Sequence, residues 1–269
     1  MAPLDYDARV NERRALLIVV VVALPIGVVA GLFGLLGGLP VALAAFVAVT
    51  VIMAGWLWFT ADTRVVRTLG GGPADPVRHA RLINMVDGVC SGVGVNAPRL
   101  VVVDDPALNT LAAGRHRRRA ILAVTTGLLD GLHPIELEGV VAEQLVRIRR
   151  RDTLPLTLAL PLGAVGVRLA GPKDDTATDL VAVSVTRYPP GLAAALEAMA
   201  EGGTALARNS KVLTPLWMAN PNRPPISAKR PQRPRAVERA DVADAVDPGG
   251  AFASAGPGLL ARAEALREL

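Results

Sequence analysis

The sequence predicts a mainly helical α+β protein in which an N-terminal transmembrane helical hairpin precedes a domain with a small β-sheet. Three observations point to this fold. Two uncharged apolar stretches of membrane-spanning length lie close together near the start of the chain, and hydrophobic residues make up 51% of its 269 residues. After residue 76, short apolar runs with the boundaries of strands lie among longer segments with helical periodicity.

The predicted hairpin consists of residues 15–37 and 41–60, neither of which contains a charged side chain. Each stretch has about the 20 residues that a helix needs to cross a bilayer. Only Gly-Leu-Pro separates them, and Pro25 would kink the first helix without excluding it. A signal peptide is the alternative for the first stretch, but the apolar core is too long and a second stretch follows at once. We therefore predict a hairpin with an uncharged tip.

Basic residues flank the two predicted spans on only one side of the membrane. Basic residues lie before the first span and after the second, and the tip has none: Arg9, Arg13, Arg14, Arg64, Arg67 and Arg78. Aromatic residues suited to the membrane interface end the second span: Trp56, Trp58 and Phe59. The positive-inside rule then predicts a cytoplasmic tail at residues 1–14 and places both termini and the main domain in the cytoplasm.

Composition narrows the class of partner. The net charge is +5, but the arginines are scattered, and aromatic residues make up only 3% of the chain. Single-strand binding proteins stack bases on aromatic side chains, so a nucleic-acid partner is not expected. Cys90 is the only cysteine. It excludes an internal disulfide, and its apolar surroundings predict a buried structural residue.

Residues 61–220 are predicted to form the main domain. The pattern predicts a Gly/Pro-rich joint, helices and three strands in this order: joint 63–76, helix 77–92, strand 99–103, strands 111–113 and 120–124 around a turn at 114–119, helices 125–132, 135–151, 179–185 and 191–201. An apolar segment at 153–167 contains two prolines and is short for a span. It favours a surface-lying or re-entrant segment close to the membrane.

The C-terminal part of the chain differs in composition. Residues 221–258 are rich in proline and arginine with little apolar content, so we expect them to be disordered. Residues 259–269 return to a Leu/Ala-rich pattern and predict a short final helix.

Several motifs occur in an order that resembles one family. Residues 136–152 read ELEGVVAEQLVRIRRRD, similar without gaps to a pattern such as ELEGVLAHELSHIRxRD. Further similar segments are RLINMVDGVCSGVGVNAPRLVVVDDPALNTLAAGR (81–115), AILAVTTGLLDGL (120–132), TRYPPGLAAALEAMA (186–200) and LWMANP (216–221). The chain thus resembles the HtpX-like membrane zinc metallopeptidases over roughly residues 67–221. The resemblance implies a zincin-like peptidase domain in a bacterial plasma membrane.

The resemblance also shows where this chain departs from the family. Two histidines and a glutamate of an H-E-x-x-H helix hold zinc and activate its water. Here the first histidine falls on Glu143, the glutamate on Gln144 and the second histidine on Arg147, while the third ligand falls on Asp175, with Asp179 in the later position. The chain is also predicted to lack most of the family's second hydrophobic hairpin, which is reduced to residues 153–167.

These substitutions predict a degenerate site with no catalytic residue, metal ligand or cofactor. Arg147 stays protonated and has no electron pair to give a metal, whereas Glu143, four residues away on the same helical face, would pair with it. Gln144 cannot accept a proton from water at neutral pH. Without a metal, the pKa of the water would also not be lowered.

Other polar groups offer weaker signals. His79, His116 and His133 lie in separate segments without ligand spacing. The turn at 115–119 is strongly basic, with Arg115, Arg117, Arg118 and Arg119 around a histidine. These arginines could contact anionic lipid headgroups, or the turn could simply be solvated, and the sequence leaves both open.

The sequence favours a membrane-anchored pseudopeptidase that binds an integral membrane protein as a scaffold or accessory subunit of a larger complex. A working zinc endopeptidase with an atypical site is the first alternative, and it would need a histidine from elsewhere beside Glu143 and Asp175. A lipid- or peptide-binding membrane module is the second.

Overall fold

The structure, a computed structural model, describes residues 3–208, 210–224 and 258–269. Two long helices, α1 (Pro3–Gly34) and α2 (Leu39–Leu69), form the predicted hairpin, joined by a 3-10 turn at Leu35–Gly37. The two helices approach closely at their tip, where a methyl group on Gly34 would lie 2.7 Å from the Cα of Ala42. Glycine therefore permits the contact that closes the hairpin.

Both helices extend beyond the apolar stretches that predicted them. α2 continues to Leu69, so the joint expected at residues 63–76 begins only at Gly70, which has a φ of 69°. The prediction placed the end of the helix where charged residues appear. Polar residues do not end a helix, however, and residues 61–69 contain no glycine or proline.

Among the described residues, three segments are long and apolar enough to cross a membrane: residues 8–37, 39–69 and 153–170. The third comprises α6 (Thr153–Ala159), a 3-10 turn at Leu160–Leu162 and α7 (Gly163–Ala170). In the first two, 17% and 11% of the most apolar window is buried within the protein, against 56% in the third. α6 packs against both helices of the hairpin, so this segment adjoins the spans.

The main domain contains a four-stranded sheet in the order β1-β2-β4-β3. The strands are β1 (Gly72–Pro73), β2 (Arg99–Val103), β3 (Thr110–Ala113) and β4 (Ile121–Thr125). β2 and β4 are parallel, whereas the two outer pairs are antiparallel. The three predicted strands are confirmed. β1 was missed because its two residues lie in a Gly/Pro-rich segment that carries no apolar alternation.

Six further helices that the structure describes belong to the main domain. They are α3 (Ala80–Val93), α4 (Thr126–Gly131), α5 (Pro134–Arg150), α8 (Asp175–Thr186), α9 (Pro189–Gly202) and α10 (Leu259–Arg267). α5 packs against α3, α8, α9 and β3, which surrounds it with protein. Cys90 on α3 is buried in this core, as predicted.

A second apolar core joins the base of the hairpin to the other face of the sheet. Side chains of α1 and α2 pack here with strand and α6 side chains: Ala15, Ile18, Leu57, Ala61, Val65, Val101, Leu111, Ile121 and Leu158. Polar contacts reinforce the junction, since Asn11 on α1 donates to the Arg150 carbonyl (3.2 Å) and to Asp152 (2.6 Å). The spans and the domain thus share one packed junction.

The segment expected to be mostly disordered, residues 221–258, is paired with the domain at its start. Leu206 donates its N–H to the Pro221 carbonyl (2.9 Å), and Thr204 donates to the Arg223 carbonyl (3.1 Å). These backbone pairs hold residues 221–224 against the domain. Residues 225–257 lie outside the described residues. The predicted final helix is present as α10, and it packs against α8 and α9.

Candidate functional site

The degenerate motif lies at the middle of α5, the most enclosed helix of the domain. Glu143 and Gln144 are 0% exposed and Arg147 is 4% exposed. The helix begins at Pro134, where the Glu136 carboxylate accepts the His133 N–H (2.8 Å), and it ends at Arg150, before Arg151 in a left-handed conformation. Its neighbours leave no solvent-facing side at this level, so even its polar residues are buried.

Arg147 joins the two carboxylates that the resemblance aligns with metal ligands. Its Nε donates to Oε1 of Glu143 (2.6 Å), and its Nη2 donates to Oδ1 of Asp175 on α8. The structure therefore brings the aligned positions together, with the guanidinium between them. Burial alone would lower the pKa of Arg147, but Glu143 and Asp175 raise it above its ordinary value. This arginine remains charged.

Asp175 responds to the same arginine in the opposite sense. Burial would raise the pKa of its carboxyl, but the positive charges of Arg147, Arg262 and Lys173 outweigh burial and hold the pKa below its ordinary value. Asp175 is thus an ionised carboxylate that forms an ion pair with the guanidinium of Arg147.

Gln144 completes the ring of contacts around Glu143. Its amide Nε2 donates to Oε2 of Glu143 (2.6 Å), so both oxygens of that carboxylate accept hydrogen bonds. Within the described part of the chain, the buried Oε1 of Gln144 has no hydrogen-bond partner. The side chain at the place of the catalytic base therefore serves as a donor to its neighbour.

Arg262 is a member of this site that sequence reasoning missed. It lies on α10, is 3% exposed and forms a two-point pair with Asp179 on α8: Nε to Oδ2 at 2.7 Å and Nη2 to Oδ1 at 2.6 Å. Its Nη2 also lies 3.4 Å from Oε1 of Glu143. Burial raises the pKa of Asp179 to about 6, although Arg262 opposes the shift.

A sequence signal for Arg262 was available. Leu259, Ala263 and Leu266 recur at helical spacing and are buried, and Arg262 lies on the same face. A lone arginine on the apolar face of an amphipathic helix requires a buried acidic partner.

Lys173 adds a third cation near the cluster. Its Nζ donates to the carbonyl of Trp217 (2.9 Å). Burial, together with the positive charge of Arg147, lowers the pKa of Lys173 to about 7. Three carboxylates, those of Glu143, Asp175 and Asp179, therefore face two permanent cations and one that titrates near neutrality.

The chain's own backbone covers the edge of the sheet beside the site. Met218 donates its N–H to the Thr110 carbonyl (2.8 Å), and Trp217 forms an antiparallel bridge with Leu111 of β3. The Asn109 side chain donates to the Ala219 carbonyl (3.0 Å) and accepts its N–H (3.2 Å). At these residues, β3 is already paired.

The residues of this site do not fit the zinc that the resemblance implies. Zinc needs three good donors and an open position. The oxygens of Glu143 and Asp175 bind the guanidinium of Arg147, which itself stands at the position of the second zinc histidine and offers only N–H donors. Throughout residues 3–208, 210–224 and 258–269, no group of three His, Cys, Asp or Glu residues could hold a metal ion.

The three histidines lie away from this cluster, each beside the start of a helical segment. His79 precedes α3, where its Nδ1 accepts the Asp75 N–H (3.0 Å). His116 precedes a short 3-10 turn, where it accepts the Arg118 N–H (3.1 Å), and His133 precedes α5. Each of these positions is local to its own turn.

The basic turn at 115–119 divides into two parts. Arg115, one of the arginines expected to contact headgroups, is buried, with its Nε 3.0 Å from the Asp62 carboxylate on α2. Arg117 donates to the Arg149 carbonyl (2.7 Å), whereas Arg118 and Arg119 are exposed.

Comparison with known proteins identifies relatives that carry one name. The chain is 40% identical to a Protease HtpX homolog of Acidiphilium cryptum over 124 residues, which cover 46% of this chain and 42% of the relative. It is 29% identical to one of Dictyoglomus turgidum over 195 residues (56% of this chain, 64% of the relative). It is 27% identical to one of Tropheryma whipplei over 237 residues (71% and 81%).

The first two of these matches span less than two thirds of each relative's length. No family model matches the chain. Over part of its length the chain is therefore similar to proteins named Protease HtpX homolog.

Proposed function

We propose that this protein is a catalytically inactive, membrane-anchored member of the HtpX-like family that acts by binding. In this role it serves as a scaffold or accessory subunit of a larger complex with an integral membrane protein. The observation that carries the proposal is the position of Arg147, whose guanidinium bridges Glu143 and Asp175. A permanent cation takes the place of the divalent ion.

The chemistry supports the inactive reading at two further points. A hydrolytic site needs a base, and the Gln144 amide cannot act as one at neutral pH. It also needs a place for water, yet Glu143 and Gln144 are fully buried. Each defect would stop peptide hydrolysis by itself.

The binding reading rests on what the chain retains. The domain keeps a packed core around α5, and the hairpin presents apolar side chains such as Leu36 (91% exposed) and Phe33 (71% exposed) to the membrane. A family scaffold without its chemistry can still bind a partner in the bilayer. Arginines before the first span and after the second favour a cytoplasmic location for both termini and for the domain. Reporter fusions at either terminus test this orientation.

The two alternatives lack a supporting contact. An atypical zinc site would need a histidine beside Glu143, and the three histidines sit in surface turns instead. A ligand-binding cleft at the old site would need open space, but side chains fill it and residues 217–219 cover the adjoining edge of β3.

Metal content and proteolysis of purified protein test the inactive reading. We expect the wild type to carry no stoichiometric zinc and to leave casein intact. The matched variant Glu143→His/Gln144→Glu/Arg147→His restores the ligands and the base, with Asp175 as third ligand, and is expected to bind zinc. Wild-type protein that bound one zinc per chain and cleaved casein would end the proposal.

The accessory role needs a separate experiment. Affinity purification from native membranes is expected to recover a defined integral membrane protein in fixed proportion to this chain. Recovery of the chain alone, in mild detergent and after cross-linking, would refute that part and leave the catalytic question untouched.

A further inference from the structure

We propose that the turn at residues 115–119 is an anionic-lipid contact in which Arg118 and Arg119 bind lipid headgroups. The proposal goes beyond the proposed function and does not depend on whether the site in α5 is active. It rests on where the turn is fastened, and on which of its arginines remain available.

Arg115 fastens the turn to the end of the second span. Its Nη1 donates to the Trp58 carbonyl (2.6 Å), its backbone N–H and Nε both donate to Asp62 (3.0 Å each), and its guanidinium lies 5.0 Å from the Phe59 ring. Trp58 and Phe59 end the uncharged stretch of α2, and Asp62 is the first charge after it. This is the level at which a bilayer changes from hydrocarbon to headgroups.

A second set of bonds fastens the same turn to the apolar segment at 153–170. The Gly114 N–H donates to the Thr157 hydroxyl (3.1 Å), and the Thr153 hydroxyl donates to the Gly114 carbonyl (3.2 Å). Thr153 and Thr157 lie on α6, beside the hairpin. Two membrane-adjacent helices therefore hold the turn at one depth.

The exposed arginines come shortly after the anchored residues Gly114 and Arg115 in the sequence. Arg118 and Arg119 form the end of a 3-10 turn of three arginines, and both are exposed. Among the described residues no carboxylate pairs with either side chain, whereas Arg115 is neutralised by Asp62 and Arg151 by Glu12. Two uncompensated cations at headgroup depth favour phospholipids with a net negative charge.

Tryptophan fluorescence can test this contact without added labels. Trp56 and Trp58 are 53% and 37% exposed on α2 next to the turn, and Trp217 is buried in the domain. Full-length protein would be reconstituted with brominated phosphatidylglycerol or brominated phosphatidylcholine, each diluted into unbrominated phosphatidylcholine. The excess quenching by the anionic lipid gives its relative affinity for the surface near these tryptophans.

We expect the wild type to prefer the anionic lipid and Arg118→Gln/Arg119→Gln to lose that preference. Each arginine contributes a roughly five-fold change in relative affinity. The matched control is Arg78→Gln/Arg81→Gln, which removes two exposed arginines that line a cleft between β1 and α3. It is expected to keep the preference, and thermal unfolding confirms that both variants are folded.

Three outcomes would overturn the proposal. They are equal quenching of the wild type by both lipids, an unchanged preference in Arg118→Gln/Arg119→Gln, and an equal loss in both double variants, which would show only an effect of net charge.

Discussion

Removal of the Arg147 charge offers the most direct test of how the centre of the domain is held together. In Arg147→Met the side chain keeps much of its length but loses both ion pairs. Glu143 (0% exposed) and Asp175 (4% exposed) would then remain buried without the cation between them. Breaking a buried pair in this way costs about 3–5 kcal/mol, because a charge is left uncompensated.

The expected change is large enough to measure in detergent. At roughly 2–4 °C per kcal/mol for a domain of this size, the midpoint of thermal unfolding falls by on the order of 10 °C. Cys90 provides the readout with a maleimide dye, since it is the only cysteine and is 5% exposed in the folded protein. Burial also raises the pKa of its thiol to about 11, so the folded thiol is protonated and unreactive.

A compensating variant separates electrostatics from packing. Arg147→Met combined with Glu143→Gln and Asp175→Asn leaves no unpaired charge at these positions, and we expect it to regain much of the lost stability. Arg81→Gln, an exposed arginine on α3, should shift the midpoint by less than about 2 °C. If Arg147→Met melted with the wild type, or if the triple variant melted with Arg147→Met, the charge-balance reasoning would be refuted.

Three further predictions follow from the same structure. Arg262→Ala is expected to release α10 and raise deuterium uptake across residues 259–267, whereas Arg267→Ala on the same helix, whose side chain is 63% exposed, is expected to change uptake little. Burial lowers the pKa of Lys173 to about 7 from 10.5, so the folded state binds fewer protons than the unfolded state between these pH values. The midpoint of thermal unfolding, measured by tryptophan fluorescence, is therefore expected to rise from pH 7 to 10. The variant Lys173→Met is expected to flatten that rise. Gly34→Ala is expected to destabilise the hairpin because its methyl group would lie 2.7 Å from the Cα of Ala42. Gly55→Ala, whose methyl group would have nothing within 4 Å, is expected to be tolerated. Equal midpoints of thermal unfolding for the two variants would contradict this contact.

Sequence patterns predicted the features that depend on local spacing. The hairpin follows from two uncharged runs, and the strands β2, β3 and β4 follow from short apolar runs bounded by turn residues. The pairing of Glu143 with Arg147 follows from their four-residue separation on one helix. In each case the interacting residues are close in sequence, so a periodic pattern contains the needed information.

The contacts that sequence could not supply join distant segments. Arg262 reaches Glu143 across 119 residues, and Lys173 reaches the Trp217 carbonyl across 44. Neither residue belongs to a motif, and nothing in its neighbours specifies the partner. The ion pair of Arg115 was missed for the same reason, because its partner Asp62 lies on a different helix. Charge alone predicts that an arginine needs a partner, but only the fold determines which.

The charge balance explains how the scaffold can persist without a metal. Glu143, Asp175 and Asp179 place three carboxylates in the interior, and such a group is costly unless cations neutralise it. Arg147 and Arg262 supply those cations through covalent side chains, so the fold does not depend on an ion from solution. The same arrangement resists a return to metal binding. Loss of Arg147 alone removes the ion pair of Asp175 and the shorter of the two ion pairs of Glu143. A histidine at position 147 would still have Gln144, not a base, beside it. Under the proposed function, several positions would have to change together before hydrolysis could resume, and each intermediate would pay in stability.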